Sequence, residues 1–183
     1  NRAVGRAPPP LPALEGFFGK PPVVNPVIRL ATIPSILGDG AENYASHGVG
    51  RSRGTVTLQI AGNVARGGLY ETDFGIPLSE VIHRIGGGTA SGRPVKAVQV
   101  GGPLGAFLPP EKFDAPLGYE ELDAEGGMVG HAGIVVFDDT ADLSRLARYS
   151  MEFCAIESCG KCTPCRIGAV SYTHLTLPTI AKV

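Results

Sequence analysis

Between Gly54 and Gly62 the chain alternates: Val56, Leu58 and Ile60 are apolar, while Thr55, Thr57 and Gln59 are polar. A period of two puts the apolar set on one side of a strand, so a strand with one buried face is expected here. The Gly67-Gly68 pair marks a turn into a second strand near Leu69 to Thr72. From Pro77 the period lengthens. Leu78, Val81, Ile82 and Ile85 recur at helical spacing, Pro77 suits the first helical position and Gly86 a left-handed C-terminal cap, which predicts a two-turn helix. Val95 to Val100 reads as another strand. The order strand, strand, helix, strand packs as a small sheet with a helix across it, and a β-grasp module is expected over Gly54 to Gly102, able to fold without any cysteine.

On the C-terminal side, Ile134 to Phe137 reads as a short buried strand. Leu143, Leu146, Ala147, Ser150, Met151 and Cys154 then follow helical spacing, with Asp138 and Asp139 placed to cap the N-terminus. On the N-terminal side, Val27 to Leu37 predicts a helical turn interrupted near Pro34. Asn1 to Pro26 carries Pro8, Pro9, Pro10, Pro12, Pro21, Pro22 and Pro26, each lacking a donor and fixed in φ, so an extended connector is expected.

Composition narrows the classes. A chain of 183 residues with 43% hydrophobic content can build one ordinary domain or two small ones, and its 26 glycines and 16 prolines make it rich in loops. The net charge of −1 supplies no basic field for a nucleic acid. No apolar run approaches the roughly 20 residues of a membrane span, and Asn1 to Gly19 lacks a signal-peptide pattern, so a soluble cytoplasmic protein is expected. The first residue is asparagine, and we expect the N-terminus to be cut.

Cys159-Gly160-Lys161-Cys162-Thr163-Pro164-Cys165 places three thiols at i, i+3 and i+6, a spacing that lets one loop wrap three corners of a cubane cluster. A disulfide belongs mainly to secreted chains, and no export signal is seen. A thioredoxin-type pair should open a helix after a first strand, whereas this run ends one and leaves a third thiol without a task. Zinc needs a second ligand pair, and none stands at a workable distance. Cys154 is expected to be a small buried thiol on an apolar helix face. His47, His83, His131 and His174 show no ligand-like spacing.

The stretch Glu157-Ser158-Cys159-Gly160-Lys161-Cys162-Thr163-Pro164-Cys165-Arg166-Ile167-Gly168 resembles the cluster motif of the family of complex I flavoprotein subunits, which includes the diaphorase subunits of NAD-dependent formate dehydrogenases and NAD-reducing hydrogenases. Phe18-Gly19-Lys20-Pro21-Pro22-Val23-Val24-Asn25 is similar to that family's entry to the flavin site, and Gln99-Val100-Gly101-Gly102-Pro103-Leu104-Gly105 to its glycine-rich loop. Met128-Val129-Gly130-His131 and Met151-Glu152-Phe153-Cys154-Ala155-Ile156 look most like formate dehydrogenase β subunits.

The resemblance implies an α+β architecture with distinct parts. Residues 1–53 would be the remnant of a Rossmann-like flavin and NADH domain with its connector. Residues 54–102 would be the β-grasp module. Residues 103–170 would be a linker, a strand and the incomplete start of a helical iron–sulfur domain, and residues 171–183 a non-native tail. It further implies Cys159, Cys162 and Cys165 as ligands of a 4Fe–4S cluster, the fourth lying downstream in sequence the tail has replaced, and FMN and NAD(H) in the full-length parent. The parent would be an NADH:acceptor oxidoreductase, expected to be a formate dehydrogenase, with a small 2Fe–2S subunit and a catalytic subunit as partners and no catalytic residue in this chain. Arg166 is expected to favour the reduced cluster.

Two departures qualify the match. Asn25-Pro26 stands where the family has two asparagines, so only Asn25 carries over as a flavin contact. No dinucleotide loop is present, since Gly86-Gly87-Gly88 follows a helix instead of opening one. The chain alone is therefore expected to bind NADH poorly. The alternative from a different class is a non-enzymatic β-grasp binding module with structural zinc.

Overall fold

The computed structural model describes residue 11 and residues 13–168. Residues 1–10 and 12 of the expected proline-rich connector, and the expected tail from Ser171, lie outside the described residues.

Helix α1 (Val27–Asp39) runs through Pro34 without the expected interruption, and α2 (Ala41–Ser46) follows it. The ring removes a donor from the carbonyl of Leu30, but Leu30 is 52% exposed, so water can serve that oxygen. A short hairpin, β1 (Gly48–Val49) and β2 (Ser52–Arg53), leads into the main sheet.

That sheet contains β3 (Thr55–Gly62), β4 (Gly68–Asp73), β5 (Val95–Val100), β6 (Ala106–Leu108) and β7 (Gly133–Asp138) in the order β4-β3-β7-β5-β6. The β3–β4 pair is an antiparallel hairpin with Thr55 opposite Asp73 and Ile60 opposite Gly68. Strand β7 lies in the middle, parallel to β3 through Gln59↔Gly133 and antiparallel to β5 through Val100↔Ile134. The alternation read in β3 is real burial, for Val56, Leu58 and Ile60 all belong to the buried core.

The span Gly54 to Gly102 therefore does not close the sheet. It lacks the central strand, which arrives from Gly133 onward, and the edge strand β6. Period-two patterning tells which face of a strand is buried but not which strand it pairs with.

Between β4 and β5 lies α3 (Leu78–Glu80), which widens into one turn of i→i+5 bonding over Val81–Ile85, closed by the Gly86 N–H to the Val81 carbonyl at 2.9 Å. Leu78, Val81 and Ile82 are fully buried against the sheet. Gly86 is right-handed, φ −72°, and the left-handed turn comes at Gly87, φ +75°. Pro77 likewise precedes the helix with extended geometry instead of beginning it. Gly86 is needed for space, because a Cβ there would approach Val64 Cγ2 to 2.7 Å.

The loops that carried the resemblance pack on one another. Gln99 Nε2 donates to the carbonyls of Pro103 and Gly105, both at 3.4 Å, pinning the glycine-rich turn after β5. A Cβ on Gly101 would stand 2.8 Å from Met128 Cγ, and one on Gly130 would stand 2.7 Å from Gly101 Cα. A Cβ on Gly105 would overlap the carbonyl oxygen of Val100. Gly105→Ala should thus cost about 1–3 kcal/mol, the usual range for overpacking. Urea unfolding is the check, and an unchanged midpoint would mean that the turn relaxes freely.

Helix α4 (Tyr119–Ala124) precedes strand β7, which hands the chain to α5 (Leu143–Glu157) through a polar knot. Asp138 is 5% exposed and accepts from Asn63 Nδ2 (2.6 Å), Ser91 Oγ (2.8 Å), the Thr140 N–H (3.0 Å) and Thr140 Oγ1 (2.6 Å). Asp139 pairs with Arg93, whose Nη2 donates to Oδ2 at 3.0 Å. Neither aspartate caps the helix as expected. Asp142 does so, its Oδ1 accepting from the Arg145 N–H at 3.1 Å.

The hydroxyls of Thr140 and then Ser91 hold the Asp138 carboxyl below its ordinary range, against the opposing effect of burial. A depressed folded-state value means that this stability is present above about pH 4, the unfolded value, and is lost as pH falls through the folded one. The thermal midpoint should fall on acidification below about pH 4, and Asp138→Asn should flatten that dependence. An identical acid profile in the variant would remove Asp138 from the account.

Candidate iron–sulfur site

Helix α5 ends at Glu157 because the chain turns extended at Ser158, φ −59° and ψ 122°, whose N–H still reaches the carbonyl of Cys154 at 3.0 Å. The next residues form a tight loop around Gly160, φ +70°, a conformation glycine adopts without strain. Residues 163–168 are helical again, with the Arg166 N–H donating to the Cys162 carbonyl at 3.0 Å. Cys159 thus sits beyond one helix, Cys162 at the start of the next, and Cys165 within its first turn.

One hydroxyl ties this loop together. Ser158 Oγ accepts from the Gly160 N–H at 3.2 Å and stands 3.4 Å from Cys165 Sγ. Across the loop, Arg166 lays its stem against Gly160, with Cδ 3.9 Å from where a Cβ would stand. Lys161 and Arg166 place two cations in the motif, which suits the charge of grouped thiolates.

All three motif cysteines are free and exposed, whereas Cys154 is half-buried on α5. The donor set fits an iron–sulfur cluster in its softness and spacing. Among the described residues no group of three or more His, Cys, Asp or Glu side chains converges on one point, so the thiols share a loop without sharing a centre.

Asn25 belongs to another part of the chain. It is half-buried just before α1, and its Oδ1 accepts from Arg29 Nη1 at 3.1 Å. Near it, a cavity of about 560 Å³ is lined by Arg29, Arg51, Arg53, Tyr44, Tyr119 and His131. Its arginines are already engaged, Arg51 with Glu120 at 3.5 Å and Arg53 with the Ala45 carbonyl at 3.2 Å. Ser158 is the residue the spacing argument passed over. Its signal was present, a serine followed two residues later by glycine, the pattern of a hydroxyl closing its own turn.

These features define a small mixed sheet delivering a helix to a loop of three thiols. Residues 145–179 match the family described as the NADH-ubiquinone oxidoreductase-F iron-sulfur binding region, a match that reaches into the segment expected to be a tail. The chain is 42% identical over 161 residues to the HndC subunit of the NADP-reducing hydrogenase of Solidesulfovibrio fructosivorans, spanning 88% of this chain and 33% of that protein. It is 41% identical over 168 residues to the F 2 subunit of the NADH-quinone oxidoreductase of Rhizobium meliloti, spanning 92% and 40%. A crystal structure of an NAD+-reducing NiFe hydrogenase in the air-oxidized state superposes with a TM-score of 0.79 at 34% identity, over 96% of this chain and 30% of that one. The chain belongs to the family of complex I flavoprotein subunits. It spans between 33% and 40% of the length of these curated relatives.

Proposed function

We propose that this chain is the cluster-holding part of an NADH:acceptor oxidoreductase subunit, with Cys159, Cys162 and Cys165 binding a 4Fe–4S cluster. The observation that carries the reading is the set of three free, exposed thiols at three-residue intervals on the loop leaving α5, inside the matched iron–sulfur region. When bound, such a cluster supplies one-electron transfer, which a flavin must link to the two-electron chemistry of a nicotinamide. The chain's own residues orient it. Strand β7 and the Asp138 knot set where α5 begins, and Ser158 shapes the turn that presents the thiols.

FMN and NAD(H) belong in this reading to the full-length parent, with Asn25 as a flavin contact and residues 1–53 as the edge of that domain. The five-stranded sheet is read as a β-grasp module, supported by a hairpin, a crossing helix, and first and last strands parallel at the centre. The partners are a small 2Fe–2S subunit and a catalytic subunit, in the cytoplasm. Among the described residues no helix is long and apolar enough to cross a membrane. Formate as the electron source rests on the Met128–His131 and Met151–Ile156 resemblances, while the relatives named above serve a hydrogenase and an NADH-quinone oxidoreductase.

Anaerobic reconstitution with iron, sulfide and a small thiol should give a brown chain with the broad visible absorbance of sulfide-to-iron charge transfer. A colourless chain that binds zinc in preference would favour the structural-zinc module.

A further inference from the structure

We infer that Ser158 is a positioning residue that raises the reduction potential of the cluster through its hydrogen bond to Cys165; the inference rests on the cluster reading above. The direction of that bond follows from its partners. Ser158 Oγ already accepts the Gly160 N–H at 3.2 Å, which leaves its own proton free toward Cys165 Sγ, 3.4 Å away. A ligating cysteine is a thiolate with no proton to give, so the serine donates and the sulfur accepts.

Reduction adds one negative charge, part of which resides on the ligand sulfurs. A donor aimed at one of them favours the more charged state, and hydrogen bonds to sulfur are among the levers that set such potentials. The geometry gives this hydroxyl two tasks that separate experimentally. Its oxygen holds the turn at Gly160, and its proton reaches the thiolate. Both alanine and threonine suit the extended backbone at this position, φ −59° and ψ 122°, but only threonine keeps the hydroxyl.

The test uses the full chain, reconstituted anaerobically with excess small thiol, as wild type, Ser158→Ala and Ser158→Thr. Iron and sulfide are assayed in each, and the reduced signal is followed by EPR during a redox titration. The cluster that Ser158→Ala holds should show about a tenfold smaller ratio of reduced to oxidised form at a fixed potential, equivalent to about 59 mV for one electron. Ser158→Thr should return toward wild type. An alanine variant with the wild-type potential would overturn the inference, as would a shift that threonine fails to restore. Loss of iron in the alanine variant would also overturn it, by assigning the hydroxyl to building the loop. A wild-type chain that takes up no iron and sulfide would instead sink the cluster reading, and the tuning role with it.

Discussion

A peptide from Gly54 to Gly102 is expected to remain unfolded, whereas one from Gly54 to Ala141 folds. The shorter peptide keeps the β3–β4 hairpin, α3 and β5, but it loses the strand between β3 and β5. It also loses Leu108, Phe113, Leu117, Leu122, Val129, Ala132, Ile134 and Val136, all members of the buried core cluster. Burial of a large apolar side chain contributes about 1.5–3 kcal/mol, so this loss rivals the whole ~5–15 kcal/mol by which a domain is stable. Without β7, the facing edges of β3 and β5 also lose their backbone partners. The longer peptide contains every residue of the cluster, together with Thr140, which ties down Asp138, and the Ala141 carbonyl, which accepts from Lys96 Nζ at 2.7 Å. Amide dispersion by NMR and far-UV circular dichroism distinguish the two. A well-dispersed spectrum from the shorter peptide would show that the hairpin and helix suffice.

That reversal marks where the sequence stopped being legible. Local signals translated well: the alternation at Val56 to Ile60 became a buried strand face, and the spacing of Leu78, Val81 and Ile82 became a buried helix face. Ile134 to Phe137 was equally readable as a strand, but its parallel register with Gln59 to Gly62 joins residues far apart in the chain. No periodicity encodes a partner at that distance. The helix cap failed for a related reason. Asp138, Asp139 and Asp142 all carry the capping carboxylate, and Asn63, Ser91 and Arg93 decide among them by engaging the first two. The thiols were legible because ligand spacing on one loop is local information, whereas their spatial separation here lay beyond it.

Replacing Cys162 with alanine is expected to abolish stable cluster binding, while Cys154→Ala leaves it intact. The chain has four cysteines, three of them on the loop between Ser158 and Arg166. Changes to mere supporting residues around a metal typically cost 10–100-fold in affinity, so loss of a central thiolate should exceed about 100-fold and leave little iron after desalting. Cys154 cannot stand in for it without cost. It is half-buried within α5, and its carbonyl accepts the Ser158 N–H that holds the last helical turn. Bringing its sulfur to the loop would unwind that turn and free Ser158, the residue that closes the loop through Gly160. Three protein thiolates and an added small thiol should therefore complete the cluster in wild type and in Cys154→Ala alike. Iron and sulfide per chain, with EPR of the reduced state, provide the measurement. Loss of iron in Cys154→Ala would identify Cys154 as a ligand and require α5 to end earlier when the cluster is bound. Full retention in Cys162→Ala would remove the central thiol from the site.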